Sequence, residues 1–200
     1  MPKALLLDIN GVLVQSPKLS TRFRETYGVP EAEFLPVLRS IMALVRQPGG
    51  RDSYQYWKPY LKRWKVDLDR TAFYAFCFES DRVDEEVVAV LREIQREGVR
   101  IYGVSNSYPE RSRYYHAHFP VIGELTDKLY YSWQTGYVKP DPAVYRNVLG
   151  DRKLAAKDVV AVDDQEQNVA AAQSVGITAF LYETSDSLMR NVLRPTRAGS

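Results

Sequence analysis

Near its start the chain runs Ala4-Leu5-Leu6-Leu7 straight into Asp8-Ile9-Asn10-Gly11-Val12. Four consecutive apolar residues leave no face for water, so they read as a strand buried on both sides. That is the pattern of a parallel sheet covered by helices. In open sheets of this kind, ligands bind beyond the carboxyl ends of the strands. Asp8 stands at such an end, and Gly11 gives the backbone freedom to turn sharply after it. A carboxylate there is a candidate nucleophile. Asn10, two residues on, is an amide where a second acid would be expected.

The rest of the chain alternates strand and helix, with one long interruption. From Val14 to about Ser80 strand signals vanish, and aromatic and basic residues take over. Arg22 to Tyr27 and Glu31 to Val45 read as helices, the second with Phe34, Val37, Leu38, Ile41 and Leu44 on one side. Gln47-Pro48-Gly49-Gly50 is a break. Tyr54 to Tyr60 and Leu68 to Phe78 read as further helical stretches. Alternation resumes at Asp81. Asp84 caps a helix facing inward through Val87, Leu91 and Ile94. Val99 to Val104 reads as a strand ending at Ser105-Asn106, followed by a helix over Glu110 to His116. Lys128 to Ser132 is another strand. Asp141, Pro142 and Gly150 bracket a helix. Val159 to Val162 is a strand ending at Asp163-Asp164, then a helix over Asn168 to Val175 and a last strand over Thr178 to Tyr182. The expected fold is α/β: a Rossmann-like parallel sheet with helices on both faces and an inserted helical cap. Residues 1–14 and 81–194 form the core, 15–80 the cap, and 195–200 a frayed tail.

Composition narrows the partners. With 27 basic and 25 acidic residues the net charge is +2, which gives no electrostatic case for nucleic acid or an anionic membrane. The single cysteine, Cys77, cannot form an intrachain disulfide, and its apolar neighbours suggest a buried thiol. Met1-Pro2-Lys3 runs directly into the first strand, and no apolar stretch approaches the ~18 residues of a membrane span. The expectation is a cytoplasmic protein with no leader and no membrane anchor.

Four polar groups fall at or just beyond strand ends: Asp8, Ser105, Lys139 and the pair Asp163-Asp164. In a parallel sheet those ends share one edge. A carboxylate can attack phosphorus to give an acyl phosphate. A hydroxyl with nearby backbone amides can hold phosphate oxygens, and a lysine can offset the charge of both. Carboxylates crowded beside Asp8 would repel unless a cation sat among them, and a hard oxygen set of this kind suits magnesium.

In this order the segments Asp8-Ile9-Asn10-Gly11-Val12, Val104-Ser105-Asn106, Val138-Lys139-Pro140-Asp141 and Val162-Asp163-Asp164 resemble the four motifs of the haloacid dehalogenase superfamily. The resemblance covers nearly the whole chain, including a cap between the first motif and the second strand. Small sugar-phosphate phosphatases and the amino-terminal phosphatase domain of soluble epoxide hydrolase are the similar relatives. The resemblance implies a phosphatase acting on a small phosphorylated molecule, with Asp8 as nucleophile and Mg2+ as cofactor. It implies metal binding by Asp8, the Asn10 backbone carbonyl and Asp164, with Asp163 acting through water. Ser105, Asn106 and Lys139 would hold the phosphoryl group.

The sequence departs from the resemblance at Asn10. In phosphatases of the family an aspartate there protonates the leaving oxygen and then activates water, and an amide can do neither. Three readings follow: a phosphatase with weakened or lost activity, a substituted version of an active phosphatase, or a reaction that does not need that acid. The non-phosphatase alternatives are an inactive relative that binds a phosphorylated ligand or a protein, and a metal-independent dehalogenase-type hydrolase. His116 and His118 read as surface residues, and Trp57, Tyr54, Tyr56 and Tyr60 as packing within the cap. Lys58, Lys62, Arg63 and Lys65 read as a solvated helix face.

Overall fold

The computed structural model describes residues 1–193; the tail expected over 195–200, with Arg194 before it, lies outside the described residues. The apolar run at the start is strand β1 (Ala4–Leu7), and all four of its residues are buried. It is followed by β2 (Val14–Gln15), the helices α1 (Leu19–Tyr27), α2 (Glu31–Val45), α3 (Ser53–Arg63) and α4 (Arg70–Phe78), and β3 (Arg82–Val83). The chain then runs α5 (Glu85–Arg96), β4 (Arg100–Ser105), α6 (Pro109–His118), α7 (Val121–Leu125), β5 (Lys128–Tyr131), α8 (Ser132–Thr135) and α9 (Ala143–Arg152). It ends β6 (Val159–Asp163), α10 (Glu166–Gln173), β7 (Thr178–Leu181), α11 (Ser185–Leu193).

Five strands form one parallel sheet in the order β5-β4-β1-β6-β7. β1 is the middle strand, pairing Leu5 with Ile101 on one side and Val160 on the other. The chain leaves β1 toward β4 and β5, then crosses back to β6 and β7, so the order reverses at β1. A crevice at the carboxyl end of the reversal strand is where such sheets bind ligands. Side chains alternate across the sheet with period two. Leu5 and Leu7 pack with Val87, Leu91, Ile94, Ile122, Leu188 and Val192 on one face. Ala4 and Leu6 pack with Val144, Val148 and Ala172 on the other. Helices therefore cover both faces, as the sequence predicts.

The helices between β2 and β3 build a third cluster of their own around Phe23, Phe34, Trp57 and Phe73. Ring centroids lie 4.6 Å apart for Phe23–Phe34 and 5.2 Å for Phe34–Trp57, within the range where aromatic pairs gain beyond their buried area. The insertion leaves and returns through the antiparallel pairs Val14–Val83 and Gln15–Arg82. Leu44, expected on the inner side of α2, is exposed and Val45 is buried instead. Val45 follows the buried Ile41 by four residues and Phe34 by eleven, so it continues the buried stripe of a regular helix, and Leu44 falls just outside that stripe.

One cap assignment needs correction. Asp141 does accept a hydrogen bond from Ala143 N at 2.8 Å, but the helix runs through Gly150 and stops at Lys153, which adopts φ 53. Leu154 N and Lys153 N then bond back to Leu149 O and Gly150 O, closing the end without a glycine. The short helices α7 and α8 and the last helix α11 were not legible as periodic runs. Among the described residues no helix is long and apolar enough to cross a membrane.

Candidate active site

Asp8, at the end of β1, is 7% exposed. Its backbone N–H bonds Val162 O at 3.0 Å, locking the carboxylate against β6. Its Oδ1 accepts from Ile9 N at 2.7 Å and meets the Lys139 ammonium at 3.0 Å; its Oδ2 has no hydrogen-bond partner among the described residues. Lys139 also donates to Asp163 Oδ2 at 2.6 Å. The second oxygen of Asp163 accepts from Asn168 Nδ2 at 2.8 Å and from Gln165 N at 3.0 Å. Both Asp163 oxygens are thus engaged, whereas among the described residues Asp164 receives only the Gln165 side chain, at 3.0 Å on Oδ2.

One oxygen each from Asp8, Asp163 and Asp164 lie within 4.8 Å of one another. Three carboxylates against one ammonium leave two negative charges in a largely buried cluster. Burial raises the Asp8 carboxyl to about 7; Lys139 works against this, and Asp163 and Asp164 add to it. Burial pulls Lys139 down, but Asp8 and Asp163 outweigh it and hold the ammonium above its usual range. The donor set is all oxygen and carries excess negative charge, which fits a small hard divalent cation. Gly11 makes room for it. A Cβ there would lie 2.2 Å from Asp164 Oδ2, and Gly11 has φ +93, which a side chain would strain. Only glycine lets the turn after β1 approach the Asp164 carboxylate this closely.

Lys139 is held from behind. Asn106 donates from Nδ2 to Lys139 O and accepts from Lys139 N at Oδ1, both at 2.8 Å. That amide side chain is therefore a clamp on the lysine loop, whose Lys139–Pro140 bond is cis. Ser105 is 3% exposed, and its hydroxyl receives Asn10 Nδ2 at 3.2 Å. Asn10 Oδ1 in turn lies 2.7 Å from the Tyr115 hydroxyl, which is 2.8 Å from Asp81 Oδ2. The six residues expected at the sheet edge, and Asn106 with them, thus gather at one end of β1, β4 and β6.

Two arginines on the same cavity are missing from the sequence reading. A cavity of about 330 Å3 is lined by Asp8, Asn10, Lys139, Asp164, Arg46 and Arg111, among others. Arg46 follows the last residue of α2, so the insertion reaches over the sheet edge with a cation. Its Nε is buried without a hydrogen-bond partner among the described residues. Burial, then Arg111 nearby, push its guanidinium below the usual range, partly offset by Tyr108 and Asp8. Arg111, in the first turn of α6, donates from Nε to the Tyr115 hydroxyl at 2.9 Å and contacts Asp81 at 3.4 Å. The available signal was position: each arginine sits one residue past a helix end or in the first turn after a strand-end motif. His116 and His118 are exposed and stand apart from this cluster.

Known proteins are similar to this chain in sequence and in fold. The chain is 28% identical to the drimenol cyclase drtB of Aspergillus calidoustus, over 96% of this chain and 36% of that protein. It is 32% identical to the sesquiterpene phosphatase astK of Aspergillus oryzae, over 54% of this chain and 53% of that one. The chain thus spans about a third to a half of the length of these relatives. In structure it resembles the HAD family enzyme bt-2542 of Bacteroides thetaiotaomicron, with a TM-score of 0.81 at 20% identity, covering 96% of this chain and 98% of that one. The wild-type form of that enzyme, solved with magnesium and inorganic phosphate, superposes with a TM-score of 0.77 at 18% identity over 92% and 95% of the two chains. The haloacid dehalogenase-like hydrolase model matches residues 2–176, and to that family this chain belongs.

Proposed function

We propose that the protein is a magnesium-dependent phosphatase of small organic phosphate esters, slowed by the amide at position 10. The observation that carries this reading is the Lys139 ammonium bridging Asp8 and Asp163, with Asp164 beside them. A nucleophile, a charge-neutralising cation and a hard metal site lie together at one strand edge. A relative named as a phosphatase supports it. Residues 15–80 act as the cap that covers the site.

Asp8, the Asn10 carbonyl and Asp164 would hold magnesium directly, with Asp163 acting through water. When bound, the ion offsets the charge of the carboxylates and of the phosphoryl oxygens. Lys139, with Ser105 and the Asn106 backbone amide, holds the phosphoryl group. Asp8 Oδ2 attacks phosphorus, the bond to the ester oxygen breaks, and the alcohol departs as an alkoxide that must find a proton. Water then attacks the aspartyl phosphate, giving phosphate and the free carboxylate. Both steps ask for a proton-transfer group where Asn10 stands. Its side chain is occupied with Ser105 and Tyr115 and has no acid to offer. Three clustered carboxylates argue against a metal-free dehalogenation at this edge.

The test is phosphate release from an aryl phosphate with and without magnesium, by this chain and by Asn10→Asp. Magnesium-dependent turnover, faster in the aspartate variant, is expected. A folded, magnesium-loaded Asn10→Asp protein that is inert would overturn the phosphatase reading. Tight phosphate binding without turnover in either form would identify a binding protein instead.

A further inference from the structure

A second cavity, of about 220 Å3, opens between the insertion and the sheet edge. Arg46 and Arg111 line both it and the polar cavity over Asp8, so the two chambers meet at these guanidiniums. The walls of the second chamber are Leu38, Met42, Trp57, Phe78 and Tyr108. Four come from the insertion, and Tyr108 comes from the loop after β4. Two of its polar side chains are already engaged: Ser16 Oγ and Asp81 Oδ2 both accept from Arg111, and Asp81 also accepts from Tyr115. The remaining polar groups are the two arginines, Cys77 and the Tyr108 hydroxyl, and a sugar or polyol packed against Leu38, Met42, Trp57 and Phe78 would bury hydroxyls against side chains that cannot bond them, which is unfavourable. An alkyl chain meets no such penalty and gains from every carbon taken out of water.

We propose that this chamber receives the organic half of the substrate, and that the substrate is the phosphate ester of an apolar alcohol of alkyl or prenyl type. Arg46 sits at the threshold. Its buried, unpartnered Nε finds an acceptor in a phosphate oxygen, which orients the ester with phosphorus toward Asp8 and the chain toward Trp57. The arrangement rests on the phosphatase reading for its chemistry, but its selectivity can be read by binding alone.

The experiment has two arms. In the first, a series of n-alkyl phosphonates, which cannot be hydrolysed, is titrated calorimetrically into the magnesium-loaded protein. Affinity is expected to rise roughly fourfold per added methylene until the chamber is full. Leu38→Gln and, separately, Met42→Gln are expected to flatten that dependence, and Arg46→Met to weaken all members of the series alike. In the second arm, kcat/KM is compared for decyl phosphate, farnesyl phosphate and glucose 6-phosphate. The apolar esters are expected to exceed the sugar ester at least tenfold. Affinity independent of chain length, or preference for the sugar phosphate, would overturn the proposal and leave the phosphatase intact. Chain-length-dependent binding with no turnover of any ester would overturn the phosphatase and keep the ligand class.

Discussion

The Tyr115 hydroxyl lies 2.7 Å from Asn10 Oδ1, joining residues 105 positions apart in the chain. The same hydroxyl is 2.8 Å from Asp81 Oδ2 and has one proton for two acceptors. An amide resolves this: turned over, it donates from Nδ2 to Tyr115 and accepts the Ser105 hydroxyl. A carboxylate has no such option. Asn10→Asp is therefore expected to raise turnover of alkyl phosphates by roughly 100- to 10,000-fold while destabilising the fold by about 1–3 kcal/mol. Steady-state kinetics and urea unfolding of the two proteins check both halves.

In the proposed mechanism no acid stands at position 10, and the departing alkoxide leaves unaided. The rate in this chain is expected to fall steeply as the alcohol becomes less acidic, so nitrophenyl phosphate outruns phenyl phosphate by a wide margin. Asn10→Asp flattens that dependence, because a protonated carboxyl now assists the poorer leaving groups most.

In the proposed mechanism the second step lacks its base as well. Mixing the protein with nitrophenyl phosphate is expected to give a burst of nitrophenolate approaching one equivalent, followed by slow turnover. Rapid acid quench and intact-mass measurement are expected to find one added phosphoryl group, absent in Asp8→Asn.

Lys139 is buried between Asp8 and Asp163. Lys139→Met strands two close carboxylates and is expected to cost about 3–5 kcal/mol of stability as well as activity. Magnesium should stabilise this variant more than the parent, since it takes over part of the lost neutralisation. Thermal unfolding with and without the ion measures the difference.

Gly11→Ala is expected to weaken magnesium binding by about 10- to 100-fold, because the added methyl would occupy the position of Asp164 Oδ2. Gly150→Ala runs the other way. That glycine lies within α9, and a Cβ there meets nothing within 4 Å, so helix propensity predicts a gain of about 1 kcal/mol. Denaturant midpoints test the second, and magnesium titration the first.

The sheet and the edge residues were readable because their signals are local. The run Ala4–Leu7 reads as a doubly covered strand, Asp8 follows its end directly, and Ser105 and Asp163 close β4 and β6. Lys139 was readable by its place before Pro140 and the α9 cap. Arg46, Arg111, Tyr115 and Asp81 were not, because their roles arise only when the insertion folds back over the edge and Tyr115 of α6 reaches the turn after β1. Nothing near Arg46 in sequence says which way the end of α2 points. Asn10 was visible as an amide, but its bonds to Ser105 and Tyr115 span about a hundred residues and depend on the packing of three elements. The chamber walled by Leu38, Met42, Trp57, Phe78 and Tyr108 was hidden for the same reason, and the resemblance to sugar-phosphate phosphatases pointed to a different organic group.

The segment from Leu19 to Phe78 leaves and returns through two paired rungs, Val14–Val83 and Gln15–Arg82, so its ends emerge side by side, and it rests on α6 through Phe78, whose ring lies 5.2 Å from that of Tyr114. If the insertion is the proposed cap, such a junction makes it a detachable module. A foreign helical segment spliced between those rungs would bring its own choice of guest to an unchanged phosphoryl-handling edge, and lineages could vary one without renegotiating the other.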